Sequence, residues 1–172
     1  MNSLKQIKFA LAMLGLAAAP AMFGATDTAT TTLSVTVAAE ASITVTASPT
    51  LSKGGTEFEA YTGNTTFTYK VRTSPTTGTG SVTAQVTTEF TGTGAPTTAD
   101  VSYTAATTGV GTANGSSTTA SASAGTNVLS FGADAHSNDA GDSATISWSL
   151  ADRPTYKTGT YSTTVTLTMS AT

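Results

Sequence analysis

Between Leu33 and Ala47 the chain alternates without a break: Leu33, Val35, Val37, Ala39, Ala41, Ile43, Val45 and Ala47 share one parity, with mostly Ser, Thr and Glu on the other. Strict alternation is the pattern of a half-buried β-strand, because successive side chains point to opposite faces. At roughly 3.3 Å per residue, 15 residues would span about 50 Å, whereas an ordinary strand has about 5–6 residues. The stretch is therefore too long for one strand of a small domain. Two readings are open. It is two strands in series, the second (about 41–47) opening the domain's own sheet and the first free to pair elsewhere. Or it is one bent strand that crosses between sheets.

The rest of the chain repeats the pattern in shorter pieces. "TTFTYKVRT" places Phe67, Tyr69 and Val71 on one face, and "SVTAQVTTEF" does the same with Val82, Ala84, Val86 and Phe90. Val101, Tyr103 and Ala105 follow, then Leu129 and Phe131, then Ala144, Ile146, Trp148 and Leu150, and finally Val165, Leu167, Met169 and Ala171. Gly, Pro, Ser and Thr clusters separate these runs at strand spacing. No segment after the N-terminus carries a helical period. The expected fold is all-β, an Ig-like antiparallel β-sandwich of about seven strands with an N-terminal extension strand. Its core is expected to include Phe67, Tyr69, Val71, Val82, Val86, Ile146, Trp148, Val165 and Leu167. Residues 107–125, rich in Gly, Ser and Thr, read as a loop, a hairpin of small residues or an edge.

The first residues have a different character. Lys5 and Lys8 precede an apolar run from Phe9 to Ala19 and then small residues. This is the form of a secretory signal peptide over residues 1–21, with Ala19-Pro20-Ala21 as the best cleavage site and Ala25 as the latest. The run of about 11 residues is short of the roughly 20 that a membrane helix needs. The expected organisation is a signal peptide, an extension over 26–39 and a sandwich over 40–172, in a protein secreted to the cell surface.

Composition narrows the function. Only 10% of residues are charged, and 41 are threonine. Threonine is β-branched and polar, so it suits an exposed pleated face without adding charge. Without Lys5 and Lys8 the balance is 5 − 10 = −5. There is no basic patch for nucleic acid. Cysteine is absent, so packing, ladders or partners must hold the fold.

Catalytic chemistry has little to stand on. His136 is the sole histidine, and the serine and aspartates near it belong to the same loop, whereas triads draw their members from separate elements. Asp134, Asn138, Asp139 and Asp142 form a candidate calcium loop, but their spacing departs from the D-x-[DN]-x-[DN]-G pattern. A solvated, Asx-rich turn is the simpler reading. No enzyme activity and no cofactor are expected. Asn64 and Asn114 each open a glycosylation sequon.

The closing run "GTYSTTVTLTMSAT" resembles the C-terminal strand of spore-coat-U-like proteins and archaic chaperone–usher pilins, as do the signal peptide and the segment Leu33–Val37. The resemblance covers about a fifth of the chain. It implies a sandwich lacking one strand, whose gap is filled by a neighbour's N-terminal extension. The implied protein is a structural subunit of an extracellular filament or coat, with Leu33, Val35 and Val37 as the donor residues. Its partners would be further copies of itself, a periplasmic chaperone and an outer-membrane usher. The alternative class is a monomeric adhesin or carbohydrate-binding module, for which Phe58 and Tyr61 are the exposed aromatic candidates.

Overall fold

The computed structural model describes residues 27–172; the signal peptide expected at 1–21 lies outside the described residues. The chain divides into two units at Val35/Thr36. Residues 27–35 carry no strand, and Leu33 and Val35 are 96% and 84% exposed.

The unit from Thr36 onward is a two-sheet antiparallel β-sandwich. Its strands are β1 (Glu40–Val45), β2 (Tyr61–Arg72), β3 (Gly80–Thr88), β4 (Val101–Thr107), β5 (Thr112–Ala113), β6 (Thr118–Thr119), β7 (Thr126–Phe131), β8 (Asp142–Leu150) and β9 (Thr164–Ala171). One sheet has the order β1-β2-β8-β4-β6 and the other β5-β7-β3-β9. Thr98–Asp100 forms a single 3-10 turn. The long alternation resolves into β1 alone, which begins at Glu40; residues 27–39 carry no strand. The segment at 107–125 contributes two-residue strands, β5 and β6, at one edge of each sheet.

The expected inward parity holds through the middle of both sheets. Phe67, Tyr69, Val71, Val82, Val86, Ile146 and Trp148 are buried. Val165 and Leu167 are only half-buried, because β9 is an edge strand paired to β3 on one side alone. Alternation states which way a side chain faces; it does not state whether anything covers it.

Hydroxyl and indole groups pin the core. Tyr103 Oη on β4 donates across the sandwich to Asn127 O on β7 at 2.9 Å and to Thr126 Oγ1 at 2.8 Å. Tyr69 Oη donates to Val110 O at 2.6 Å and lies 2.8 Å from Thr107 Oγ1. Trp148 Nε1 donates to Thr65 Oγ1 at 2.9 Å in a fully buried bond. Tyr103 and Trp148 stack tilted, with ring centroids 5.2 Å apart. Burial pushes both tyrosine phenols above their usual pKa. No buried side-chain polar atom among the described residues lacks a partner, as a closely packed interior requires.

Two substitutions separate these contributions in urea unfolding. Ile146→Ala removes a fully buried side chain and should cost about 2–5 kcal/mol through lost transfer energy and a residual cavity. Tyr103→Phe keeps the ring but removes the donor to Thr126 and Asn127, for an expected loss of about 1–3 kcal/mol. A Tyr103→Phe variant as stable as the parent would mean that the cross-sheet bond contributes nothing net.

Candidate assembly surface

The two flanks of the sandwich differ. On one, β5 and β6 fold back with cross-bonds such as Asn114 O accepting from Ala105 N at 2.9 Å, and Val101 O accepting from Ala120 N at 2.8 Å. On the other, β1 and β9 lie side by side at the edges of opposite sheets without pairing. They run in opposite directions. β1 starts at Glu40 opposite Arg72, and β9 ends at Ala171 opposite Gly80; Thr172 O, just beyond it, accepts from Ser74 N at 2.9 Å. This end, where the chain enters β1, is called proximal here. The distal end carries the 46–60 connection and the start of β9.

The open flank deepens into an apolar cavity at the distal end, about 190 Å³ in volume. Val45, Leu51, Phe90, Trp148, Val165 and Leu167 are among its lining residues. A cavity of roughly 150 Å³ lined by aliphatic side chains accepts benzene, so this one has room for an aliphatic side chain from outside. The Trp148–Thr65 bond holds the floor. On the rim, the 151–163 connection is tied down by Asp100. Its carboxylate, 8% exposed, takes hydrogen bonds from Arg153, from Tyr156 Oη at 2.5 Å and from Thr97 Oγ1 at 3.0 Å. Asp100 O also accepts from Ala151 N at 2.9 Å, and Gly94 O from Lys157 N at 3.0 Å. Nothing in the sequence marks this latch, since Asp100 and Arg153 stand in separate turns.

The Arg153 hydrogen bond, then that of Tyr156, lowers the Asp100 pKa to about 2. Burial first, and the Asp100 carboxylate second, raise the Tyr156 phenol to about 12.

The candidate donor residues are as exposed as an unsatisfied strand would be: Leu33 and Val35 as stated, and Val37 at 61%. The 46–60 connection presents a further apolar group, Phe58, 59% exposed. It sits third in the turn Thr56–Glu59, closed by Glu59 N donating to Thr56 O at 3.3 Å, with φ at +54°. That left-handed region favours glycine, and for a bulky residue it costs on the order of 1–2 kcal/mol. Lys53 braces the connection through an ion pair with Asp152 at 3.2 Å and lies 5.6 Å over the Tyr61 ring. Tyr61 itself is half-buried. Of the two aromatic candidates for sugar stacking, Phe58 is therefore the more exposed.

The polar loop serves the fold. Asp142 is buried, accepting from Val110 N at 2.8 Å and from Asn138 Nδ2. His136 Nδ1 is 2.9 Å from Asp134 O, and His136 bridges to Arg72. Asp139 is exposed. Among the described residues no three His, Asp or Glu side chains come within reach of one metal ion. Asn64 is exposed on β2, whereas the Asn114 amide donates to Thr118 Oγ1 and Asn127 O. No helix among the described residues is long and apolar enough to cross a membrane. Comparison with protein-family models, with curated proteins and with solved structures finds no match to this chain.

The Asp100 latch has a pH signature. A carboxylate whose folded pKa lies below its unfolded value of 3.8 stabilises the fold fully above that value, and the gain is lost as pH falls toward about 2. Thermal melts between pH 5 and pH 2 should therefore fall less steeply for Asp100→Asn than for the parent. Parallel acid limbs in the two proteins would remove the latch from the list of acid-sensitive groups.

Proposed function

We propose that this protein is a non-enzymatic structural subunit of an extracellular filament or coat, joined copy to copy by insertion of residues 30–37 into the open flank of a neighbour. The observation that carries this reading is the unpaired β1/β9 flank with its apolar cavity, in a chain whose residues 33, 35 and 37 present alternating apolar side chains to solvent. Strand addition supplies main-chain hydrogen bonds, and alternate side chains fill pockets. Burying Leu33, Val35 and Val37 would contribute roughly 1.5–3 kcal/mol each. The segment Thr30–Val37 and β9 are both eight residues long, so one can pair with the other along its whole length.

Direction decides what is built. A donor antiparallel to β9 leaves the groove at the distal end, so its own domain stands beyond the acceptor's distal end. That contact is head-to-tail and does not close, so it propagates. A donor parallel to β9 leaves at the proximal end and brings two proximal ends together, which permits a closed reciprocal pair. Antiparallel pairing matches every ladder in both sheets and is the direction proposed. A signal peptide would deliver such a subunit to the secretory route, and an open apolar groove calls for a chaperone and an usher until a donor arrives.

Val35→Asp would place a charge in the apolar groove, a far larger penalty than the lost contact. It should abolish polymer seen by negative-stain microscopy while leaving the subunit detectable. Deleting residues up to Val37 should do the same, and a peptide "TATTTLSVTVAA" should raise the melting temperature of the truncated domain. A truncated domain that is a stable monomer indifferent to the peptide refutes the donor reading. Discrete dimers in place of polymer would mean the parallel direction.

A further inference from the structure

We propose that Phe58 of one copy seats in a recess at the proximal end of the next copy, forming a second contact between subunits besides the donor strand. The contact rests on the donor-strand filament described above.

Chain length makes some contact at this place unavoidable. If residues through Val37 occupy a neighbour's groove, three peptide steps remain before Glu40, where the donor's own β1 begins. At most about 3.3–3.6 Å per step, these reach only about 10 Å. The acceptor's distal end and the donor's proximal end are therefore pressed together, whatever the side chains there.

The two ends offer matching features. The distal end holds the 46–60 connection, which also walls the groove through Pro49 and Leu51. From it Phe58 projects 59% exposed on a left-handed backbone that glycine would adopt without strain. Strained non-glycine residues persist where surrounding structure holds them, and they concentrate at functional surfaces. Here the Lys53–Asp152 ion pair and the Ser52–Thr62 bridge hold the base of the connection. The proximal end holds a recess of about 460 Å³ whose lining includes Val37, Ala38, Ala39, Pro75, Ala135 and Arg72. Ala38 and Ala39 in its wall are the linker that follows the donor segment, whereas Val37 leaves this wall when it seats in the neighbour's groove. Thr73, Ser74, Asp134 and His136 complete the lining, so the small apolar residues leave room for a ring inside a polar rim that carries both signs of charge. Arg72 is half-exposed, with Nη2 paired to Glu40 at 3.0 Å and Nε donating to Ala38 O at 2.8 Å; Glu57 and Glu59 flank Phe58 on the opposite surface. An aromatic anchor entering a pocket from a polar rim is the usual form of an interface hot spot.

The native chain has no cysteine, so a disulfide can report the contact cleanly. Filaments of Phe58→Cys/Ala39→Cys protein, oxidised and run without reductant, should give a ladder of covalent multimers, and either single variant should give dimers at most. The second measurement uses Phe58→Gly. Glycine suits the turn, so the domain's melting temperature should hold or rise, whereas loss of a buried aromatic anchor should speed filament fragmentation in mild urea about tenfold. Wild-type filaments with no ladder in the double variant, or Phe58→Gly filaments that fragment at the wild-type rate, overturn the contact while leaving the donor strand intact. Loss of glycan binding by Phe58→Gly filaments with unchanged fragmentation would also overturn it, in favour of sugar stacking. Wild-type protein that forms no filament at all defeats the donor-strand reading first, and the contact with it.

Discussion

The unpaired flank between β1 and β9 is the constraint on which the rest of the molecule turns. A sheet edge exposes a row of main-chain donors and acceptors, and stable monomers blunt such edges with charge, proline, bulges or very short strands. The opposite flank follows that practice, with two-residue strands folded over its edges. The β1/β9 flank does not. β9 is eight residues long, and its outward side chains are Thr164, Thr166, Thr168 and Ser170, none of them charged. The inward set, Val165, Leu167, Met169 and Ala171, is half-covered. A long uncharged edge above an apolar cleft is a liability in a lone domain and an asset in a subunit that is always capped.

Interior polar groups give this open form its rigidity. The sandwich is unpaired along its β1/β9 flank and has no disulfide, so bonds between its sheets add to side-chain packing. Tyr103 reaches across to Asn127, and Trp148 is fixed by Thr65 at the floor of the cleft. Threonine supplies the partner in both places, through Thr126 and Thr65. The residue type that fills the surface thus also satisfies the buried phenol and indole groups. On the surface it builds uncharged cross-strand pairs between β3 and β9, such as Thr87 with Thr166 at 3.0 Å. The low charge of the chain and its polar interior pins are two consequences of one compositional choice.

Much of the fold was legible because alternation maps directly onto a pleated sheet. Phe67, Tyr69 and Val71 on β2, or Ile146 and Trp148 on β8, lie where parity puts them. Half-burial of Val165 and Leu167 was not legible, because cover depends on a neighbour that local pattern does not describe. For 107–125 the sequence left a loop, a hairpin or an edge open; β5 and β6 are edges, and their Thr and Ala side chains carry no contrast between faces to define them further. The candidate site divides the same way. Leu33, Val35 and Val37 stood out as the leading part of an alternation too long for one ordinary strand. The Asp100 latch depends on Arg153 and Tyr156, more than fifty residues away, and only the fold brings them together. The exposure of Phe58 was legible in the sequence, whereas its positive φ was not, because it belongs to a closed turn without glycine at its third position.

The direction of β1 relative to β9 ties these observations to assembly. Both strands have their proximal ends where the chain enters the sandwich, and the cavity lies at the far end. An antiparallel donor therefore places Val37, its last apolar residue, nearest the cavity, and Leu33 toward the proximal end. Only Ala38 and Ala39 then separate the seated strand from the next β1. Two alanines add no charge, little bulk and little reach, so the junction can neither swing far nor hold the ends apart. A short, small-residue link after a seated strand favours a stiff junction over a hinge. In the proposed filament it would also require each distal surface to tolerate, or to grip, the proximal surface of the following copy.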